Sequence, residues 1–338
     1  MKLTSTARLA GIAGVLLLAV TACGGGAEDG DSGAALEKVN YLTSFNTFGR
    51  DAYVYVAQEK GYFKEAGLDV DVKPGSGTVD VMKLLASGRA DFGPGDFTAA
   101  SITIAKESLP VTAVAMVHQK TMAGIVSLEG NGISKPKDLE GKSIADQSGS
   151  TNQVTFPVYA KAAGIDADKV KFVSSTPPAL PQLLAGGKVD AIGQFMVGAP
   201  LVEKAAKNKK AVLLPYGDFL PELYGNALMT STKLANDKPE LVEKFTGALL
   251  KGLQYSIDNP EETGEILKKF QPTQDAAIAA AETAAMKEYV LPQGATLGAV
   301  DEAAVKANIK ILTEAGAIPS GVTPDQLVDF DVAVQADR

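Results

Sequence analysis

The sequence predicts an α/β protein built as two similar lobes with a cleft between them. Three observations carry that prediction. Strand-like and helix-like patterns alternate through residues 39–230. The pattern LLA-x-G-[RK]-x-D occurs twice, at residues 84–91 and 183–190. Each copy reads as a helix, a glycine cap, a basic residue near the helix C-terminus and a strand, so two halves are built alike. Finally, roughly 315 residues remain once a leader is set aside, enough for two domain-sized units.

The leader is read from Lys2 and Arg8 and the apolar run over residues 9–20. The run falls short of the ~20 residues a spanning helix needs, and it has the layout of a secretion signal. Val20-Thr21-Ala22-Cys23 has the form of a lipobox, with cleavage before Cys23 and lipidation of it. The alternative is an ordinary signal with a chance cysteine. Cys23 is the single cysteine of the chain, so no internal disulfide forms. The signal is therefore residues 1–22, and a glycine-rich, acidic tether follows through residue 35.

Composition narrows the partners. The formal net charge is −8, and the only arginines are Arg8, Arg50, Arg89 and Arg338. A chain with so little arginine and no basic stripe is not a nucleic-acid binder. No later stretch has 18 consecutive apolar residues, so no further membrane span is expected. Tryptophan is absent, which leaves Tyr and Phe for stacking.

Residues 39–42 read as the first strand, 52–66 as a helix stopped by Gly67, and Leu68-Asp69-Val70-Asp71-Val72 as a half-buried strand of period two. Pro74-Gly75-Ser76-Gly77 is a turn able to present N–H groups, Ser76 among them. Open α/β sheets bind ligands outside the carboxyl ends of strands. That makes Asn46, Phe48 and Arg50 candidates, together with Phe45 and Thr47. Phe48 either stacks on a flat ligand or closes the helix end. Arg50 pairs either an anionic group or Asp51.

Asp96 and Phe97 follow the first copy of the repeat, and Gln194 and Phe195 follow the second. Strand ends so matched would face one cleft, although Asp96 also suits the N-cap of the next helix. Asp91 and Asp190, within the repeats, read as structural. His118 is the only histidine; it reads as a structural residue or a cleft contact, and no Cys cluster or HxxxH spacing accompanies it to hold a metal. Gln147-Ser148-Gly149-Ser150-Thr151-Asn152 sits between a strand and a helix, where hydroxyls, amides and free helix-end N–H groups converge. Helix capping by Ser150 or Thr151 is compatible with that role. Tyr216 and Tyr224 are stacking candidates, and Asp218 and Glu222 are nearby acids. Amphipathic helices over 239–258, 260–270, 273–289 and 301–314 and a docked segment at 323–330 complete the chain.

Four segments carry a resemblance: VAQEKGYFKEAGLDVDV, LLASGRADFG, MVHQKTMAGIVSLEGNGISKPKDLEGKSIA and LPELYGNALMTS. In this order they resemble the solute-binding lipoproteins that group with the thiamine-pyrimidine proteins, relatives of the nitrate-, sulfonate- and taurine-binding proteins. The resemblance implies a two-lobed periplasmic-binding-protein-like fold of type II with the ligand cleft between lobes. Residues 36–122 plus 226–338 would form one lobe and 123–225 the other, with the C-terminal helices packed on the first. It further implies an extracytoplasmic, lipid-anchored monomer that passes a small solute to the permease and ATPase of an ABC importer, without a cofactor. The solute it implies is a small heterocycle such as a thiamine pyrimidine precursor. A sulfonate, taurine, nitrate or riboflavin is the alternative. The fungal thiamine-pyrimidine synthases are similar over the same stretches, but their cysteine-rich motif has no counterpart here.

Overall fold

The computed structural model describes residues 35–335; the signal, Cys23 and the tether through residue 34 lie outside the described residues. Alternating hydrophobicity and glycine stops divide the chain into short strands and helices. The strands are β1 (Glu37–Leu42), β2 (Phe45–Asn46), β3 (Leu68–Lys73), β4 (Gly75–Ser76), β5 (Phe92–Asp96) and β6 (Val111–Met116), then β7 (Gly124–Leu128), β8 (Ser143–Asp146), β9 (Lys171–Ser174), β10 (Ala191–Gly193), β11 (Ala211–Pro215) and β12 (Asn226–Ser231). The helices are α1 (Tyr53–Glu59), α2 (Tyr62–Glu65), α3 (Thr78–Ala86), α4 (Phe97–Glu107), α5 (Thr151–Ala163) and α6 (Leu180–Ala185), then α7 (Ala199–Ala205), α8 (Thr232–Asp237), α9 (Pro239–Asp258), α10 (Pro260–Phe270), α11 (Ala276–Val290) and α12 (Glu302–Glu314).

Two five-stranded sheets result, ordered β3-β1-β5-β12-β6 and β11-β7-β10-β8-β9. The chain leaves the first sheet after β6, builds the whole of the second, and returns as β12, antiparallel between β5 and β6. The outgoing and returning segments bind each other: the His118 N–H donates to the Asn226 carbonyl at 2.9 Å and the Thr121 N–H to the Leu223 carbonyl at 2.8 Å. The two crossings are thereby one paired strap.

The repeated motif does the same job in each sheet. Gly88 and Gly187 both take positive φ, +69° and +63°, and close the helix ends with matching bonds: Arg89 N–H to Leu84 and Lys188 N–H to Leu183, each 3.0 Å. Asp91 Oδ2 then accepts from the Asn40 N–H on β1 at 2.7 Å, and Asp190 Oδ2 from the Ser143 N–H on β8 at 2.8 Å. Both aspartates tie their strand to the parallel neighbour, the structural role expected of them.

Local departures have local causes. The helix expected over 52–66 breaks into α1 and α2 because Gly61 takes φ +78°. The expected turn at Pro74–Gly77 includes β4, which pairs with β2. Helix α5 begins at Thr151, earlier than its apolar pattern, since Ser150 caps it by accepting from the Gln153 N–H. The tail docks on β6 through Ala113 N–H to the Leu327 carbonyl at 2.9 Å. In the core of the first sheet, Phe245 of α9 stacks on Phe92 at 4.2 Å and on Phe63 at 5.3 Å. Helices α9 and α10 pack on α1, whereas α11 also touches the turn at Met196–Gly198 and α7 beside the second sheet. No helix among the described residues is long and apolar enough to cross a membrane.

Two glycines of α9 provide a test of this packing. A Cβ at Gly252 would lie 2.5 Å from the Tyr53 carbonyl oxygen and 2.8 Å from the Ala57 Cβ, while one at Gly247 meets nothing within 4 Å. Gly252→Ala is expected to destabilise by about 1–3 kcal/mol through overpacking against α1. Gly247→Ala should stabilise by up to about 1 kcal/mol through helix propensity. Urea unfolding of both variants checks the sign and the order.

Candidate functional site

The carboxyl ends of β1 and β5 face those of β8 and β10. One wall of the gap presents Ser44, Phe45, Arg50, Thr78 and Asn226, and the other presents Ser150, Thr151, Asn152, Gln194 and Phe195. The walls touch. Thr78 Oγ1 and Thr151 Oγ1 share a hydrogen bond at 3.0 Å, and Gln147 Nε2 donates to the Ser76 carbonyl across the rim. The space left is about 10 Å³, room for one water, so a solute enters only if the walls part.

Arg50 is the centre of the first wall. Its side chain is 2% exposed, and its guanidinium lies 4.5 Å from the ring centre of Phe48 and 5.1 Å from that of Phe195. Its Nε is 3.9 Å from Asp51 Oδ2, beyond hydrogen-bond reach, and Nε and Nη1 have no hydrogen-bond partner. Asp51 is held in place because its Oδ1 accepts from both the N–H and the hydroxyl of Ser44, at 3.0 and 2.7 Å. Burial raises the Asp51 carboxyl, and the Arg50 charge opposes that rise.

Other buried groups of the first wall and its surroundings are also left open. Asp96 caps α4, its Oδ1 accepting from the Ala99 N–H at 3.0 Å and its own N–H donating to Thr78 Oγ1 at 3.1 Å, but Oδ2 has no partner. Burial pushes this carboxyl up to about 7. Asn226 Oδ1 is buried and unpartnered. Burial first, then the Arg50 charge, lowers His118 to about 3; it is a neutral imidazole with both ring nitrogens unpaired. Glu282 of α11 is pushed up to about 7 by burial, against the pull of Arg50.

The second wall is better satisfied. Ser150 Oγ donates to Asp146 Oδ2 at 2.5 Å, Asn152 Oδ1 accepts from the Gly124 N–H at 3.0 Å, and Gln194 Oε1 accepts from the Phe195 N–H at 2.9 Å. Those bonds engage the amide oxygens and leave the NH₂ ends of Asn152 and Gln194 for a solute.

Of the residues singled out from sequence, Arg50, Ser150, Thr151, Asn152, Gln194 and Phe195 meet at the gap, with Ser76 and Gln147 bridging its rim. Asn46 and Phe48 line an adjoining groove, His118 is buried within the field of Arg50, and Asp96 is buried with its N–H on Thr78. Four more, Ser148, Phe97, Tyr216 and Tyr224, are engaged elsewhere. Ser148 is exposed, with its hydroxyl on that of Ser174. Tyr216 is stacked on Tyr159 at 4.2 Å and its hydroxyl donates to the Asn152 carbonyl. Phe97 packs edge-on against Tyr224, whose hydroxyl accepts from the Asp301 N–H. These rings are committed to the core. Phe48 likewise offers its face to Arg50. Sequence reasoning missed Ser44, Thr78, Asn226 and Glu282. The signal for Glu282 was an acid on the apolar stripe of α11, between Ala279 and Met286.

Two α/β sheets with strand ends around a central gap, joined by a paired crossing, define the solute-binding-protein fold. The chain belongs to the NMT1/THI5 like family, whose profile matches residues 50–263. It is 28% identical over 249 residues to a 4-amino-5-hydroxymethyl-2-methylpyrimidine phosphate synthase of Candida albicans (strain WO-1), covering 70% of this chain and 72% of that protein. It is 26% identical over 234 residues to the formylaminopyrimidine-binding protein of Halalkalibacterium halodurans, covering 69% and 70%. The solved alkanesulfonate-binding protein SsuA from Xanthomonas axonopodis pv. citri, bound to MOPS, superposes with a TM-score of 0.67 at 16% identity, covering 89% of this chain and 99% of that one. The family and the fold expected from sequence are therefore as found.

The buried acids give the site a pH signature. Asp96, Asp146 and Glu282 are each raised to about 7, burial being the leading cause in all three. The unfolded chain releases these protons near pH 4, so the folded state binds more protons between about 4 and 7. Stability is expected to fall as pH rises through that window and to level off above 8. Calorimetric midpoints from pH 5 to 8.5 measure it, and Asp96→Asn, which keeps the capping oxygen, should flatten the slope.

Proposed function

We propose that this protein is the extracytoplasmic solute-binding component of an ABC importer, tethered through a lipidated Cys23 to the outer face of the cell membrane. On this reading it captures a small flat heterocycle, of which a thiamine pyrimidine precursor is the leading case, and delivers it as a monomer to a permease and its ATPase. The observation that carries the reading is the set of buried, unpartnered polar atoms at one gap: Arg50 Nε and Nη1 and Asn226 Oδ1, facing the second wall's amides. A ring that carries an acceptor nitrogen beside an amino group would engage Arg50 and Asn226 together. The relative named as a formylaminopyrimidine-binding protein supports that class.

The two lobes are then residues 36–122 with 226–338, and 123–225. Their hinge is the paired strap at 118–121 and 223–226. Closure is favoured by a solute that bonds both walls, since only differential affinity for the closed form shifts the equilibrium. The reading is of a binder and not an enzyme. The one histidine is buried and neutral, and Cys23 is assigned to the lipobox, which leaves neither for a nucleophile–base pair. A second reading, a sulfonate, taurine or nitrate binder, draws on the free donors of Arg50. The acids around that arginine weigh against it.

A thermal-shift panel of the tether-trimmed protein separates the readings, using hydroxymethyl- and formylamino-pyrimidines, thiamine, riboflavin, taurine, alkanesulfonates and nitrate. A true solute at 100 times its Kd adds about 2.7 kcal/mol, a shift of several degrees. Pyrimidines should give it, and Arg50→Met and Asn226→Leu should each weaken binding by at least tenfold. A shift confined to the anions would overturn the heterocycle assignment.

A further inference from the structure

Two lysines reach from helices of the second sheet to elements packed on the first. Lys204 of α7 pairs with Asp275, which also caps α11 by accepting from the Ile278 N–H at 3.0 Å. Lys161 of α5 donates to the Glu314 carbonyl at the end of α12, at 2.7 Å. Among the described residues, no other ion pair or lysine hydrogen bond joins residues 123–225 to the rest.

The two contacts lie on opposite flanks. The chain runs from β8 through α5 to β9 and from β10 through α7 to β11, in opposite directions along the sheet. Right-handed crossovers therefore put α5 and α7 on opposite faces of it. Lys161 lies about 15 Å along α5 from Thr151, whose hydroxyl meets Thr78 in the gap. Both acceptors are negative: a carboxylate for Lys204, and the C-terminal end of a 13-residue helix for Lys161. The wider charge distribution has the same sense. Residues 123–225 carry 11 lysines and 10 acidic residues, whereas the rest of residues 35–335 carries 18 basic and 26 acidic residues. Bodies of opposite net charge attract, and salt screens the attraction.

We propose that Lys161 and Lys204 are paired electrostatic latches that favour the closed gap before any solute binds, so that ionic strength sets how readily the protein opens. The inference rests on the reading that the two sheets part about the strap, and it does not depend on which solute binds. Each contact is exposed and weak alone, and its loss should change the ratio of closed to open molecules about two- to fivefold. The two are independent contacts acting on one equilibrium, so their effects multiply.

Pulsed electron paramagnetic resonance of the tether-trimmed protein, without solute, measures the opening. Removing the tether leaves no native cysteine. Nitroxide labels at Asp80→Cys and Ser148→Cys, both exposed, then straddle the rim where Val79 meets Gly149. The short distance should dominate at about 0.01 M salt. A longer one should gain population at about 1 M, where the screening length has fallen from ~30 to ~3 Å. Lys161→Gln combined with Lys204→Gln should reproduce that shift at low salt, by about tenfold in the population ratio. Lys161→Arg with Lys204→Arg should keep the short distance. Lys188→Gln removes an exposed lysine of the same body that makes no ion pair, and should change nothing. Identical distance distributions in the glutamine double variant and the parent at low salt, or an equal effect of Lys188→Gln, would overturn the latch. The solute panel tests the proposed function separately, since no solute is present here.

Discussion

The burial of Arg50 is the constraint on which the middle of this molecule depends. A guanidinium 2% exposed cannot be left to a low-dielectric interior without compensation. Here the compensation is assembled from several elements. Phe48 and Asp51 flank it in one turn, Phe195 arrives from beside the second sheet, and Glu282 arrives from α11. Stacking on an aromatic face contributes about 2 kcal/mol when desolvated. The ion pair with Asp51 adds attraction at 3.9 Å without a hydrogen bond. Phe48 and Asp51 are supplied within the turn itself, but Phe195 and Glu282 are in place only once the second sheet and α11 have packed. The same charge, after burial, keeps His118 neutral. One side chain therefore ties the turn after β2, the second sheet and α11 to a single arrangement.

The contacts that hold the walls together are weak beside that constraint. The Thr78–Thr151 bond joins two neutral hydroxyls, worth about 1 kcal/mol net. The Gln147–Ser76 bond and the Lys204–Asp275 pair sit at exposed edges, where such interactions contribute little. The paired crossing segments, by contrast, are joined by backbone hydrogen bonds at 2.8 and 2.9 Å, which on the proposed reading would persist as one sheet rotates against the other. A strong strap and weak rims are what a hinge requires. On the proposed reading, the solute's own bonds to both walls decide the balance.

How much of this was legible in the sequence depends on range. The two sheets were foreshadowed by the repeated LLA-x-G-[RK]-x-D, because the glycine cap and the aspartate act within one helix–strand unit and need only local geometry. Ser150 as a cap was legible for the same reason. Helix α1 was overextended because Gly61 inside a helical pattern does not announce whether it will take positive φ. The rings were the harder case. Tyr216 follows a strand-like segment and Tyr224 precedes one, yet position at a strand end does not say which way a ring will turn. Tyr159 and Phe97, distant in sequence, claim them. Thr78 and Asn226 reach the gap through sheet order, with β12 returning between β5 and β6, and no local pattern encodes that.

The acids around Arg50 bear on what the gap can hold. A solute with a formal negative charge would gain the guanidinium but would also feel the carboxyls of Asp51 and Glu282, which lie in the field of that guanidinium. Burial raises both, Glu282 to about 7. An added anion would raise them further, so its binding would require proton uptake and weaken as pH rises. A neutral heterocycle avoids that cost. On the proposed reading its ring nitrogen would accept from Arg50 and its amino group would donate to Asn226 Oδ1, a buried acceptor without a hydrogen-bond partner. The single cation of the gap then serves as an oriented pair of donors rather than as a counter-ion. This physical argument favours a flat donor–acceptor solute over a sulfonate, despite the shared fold with the alkanesulfonate-binding protein.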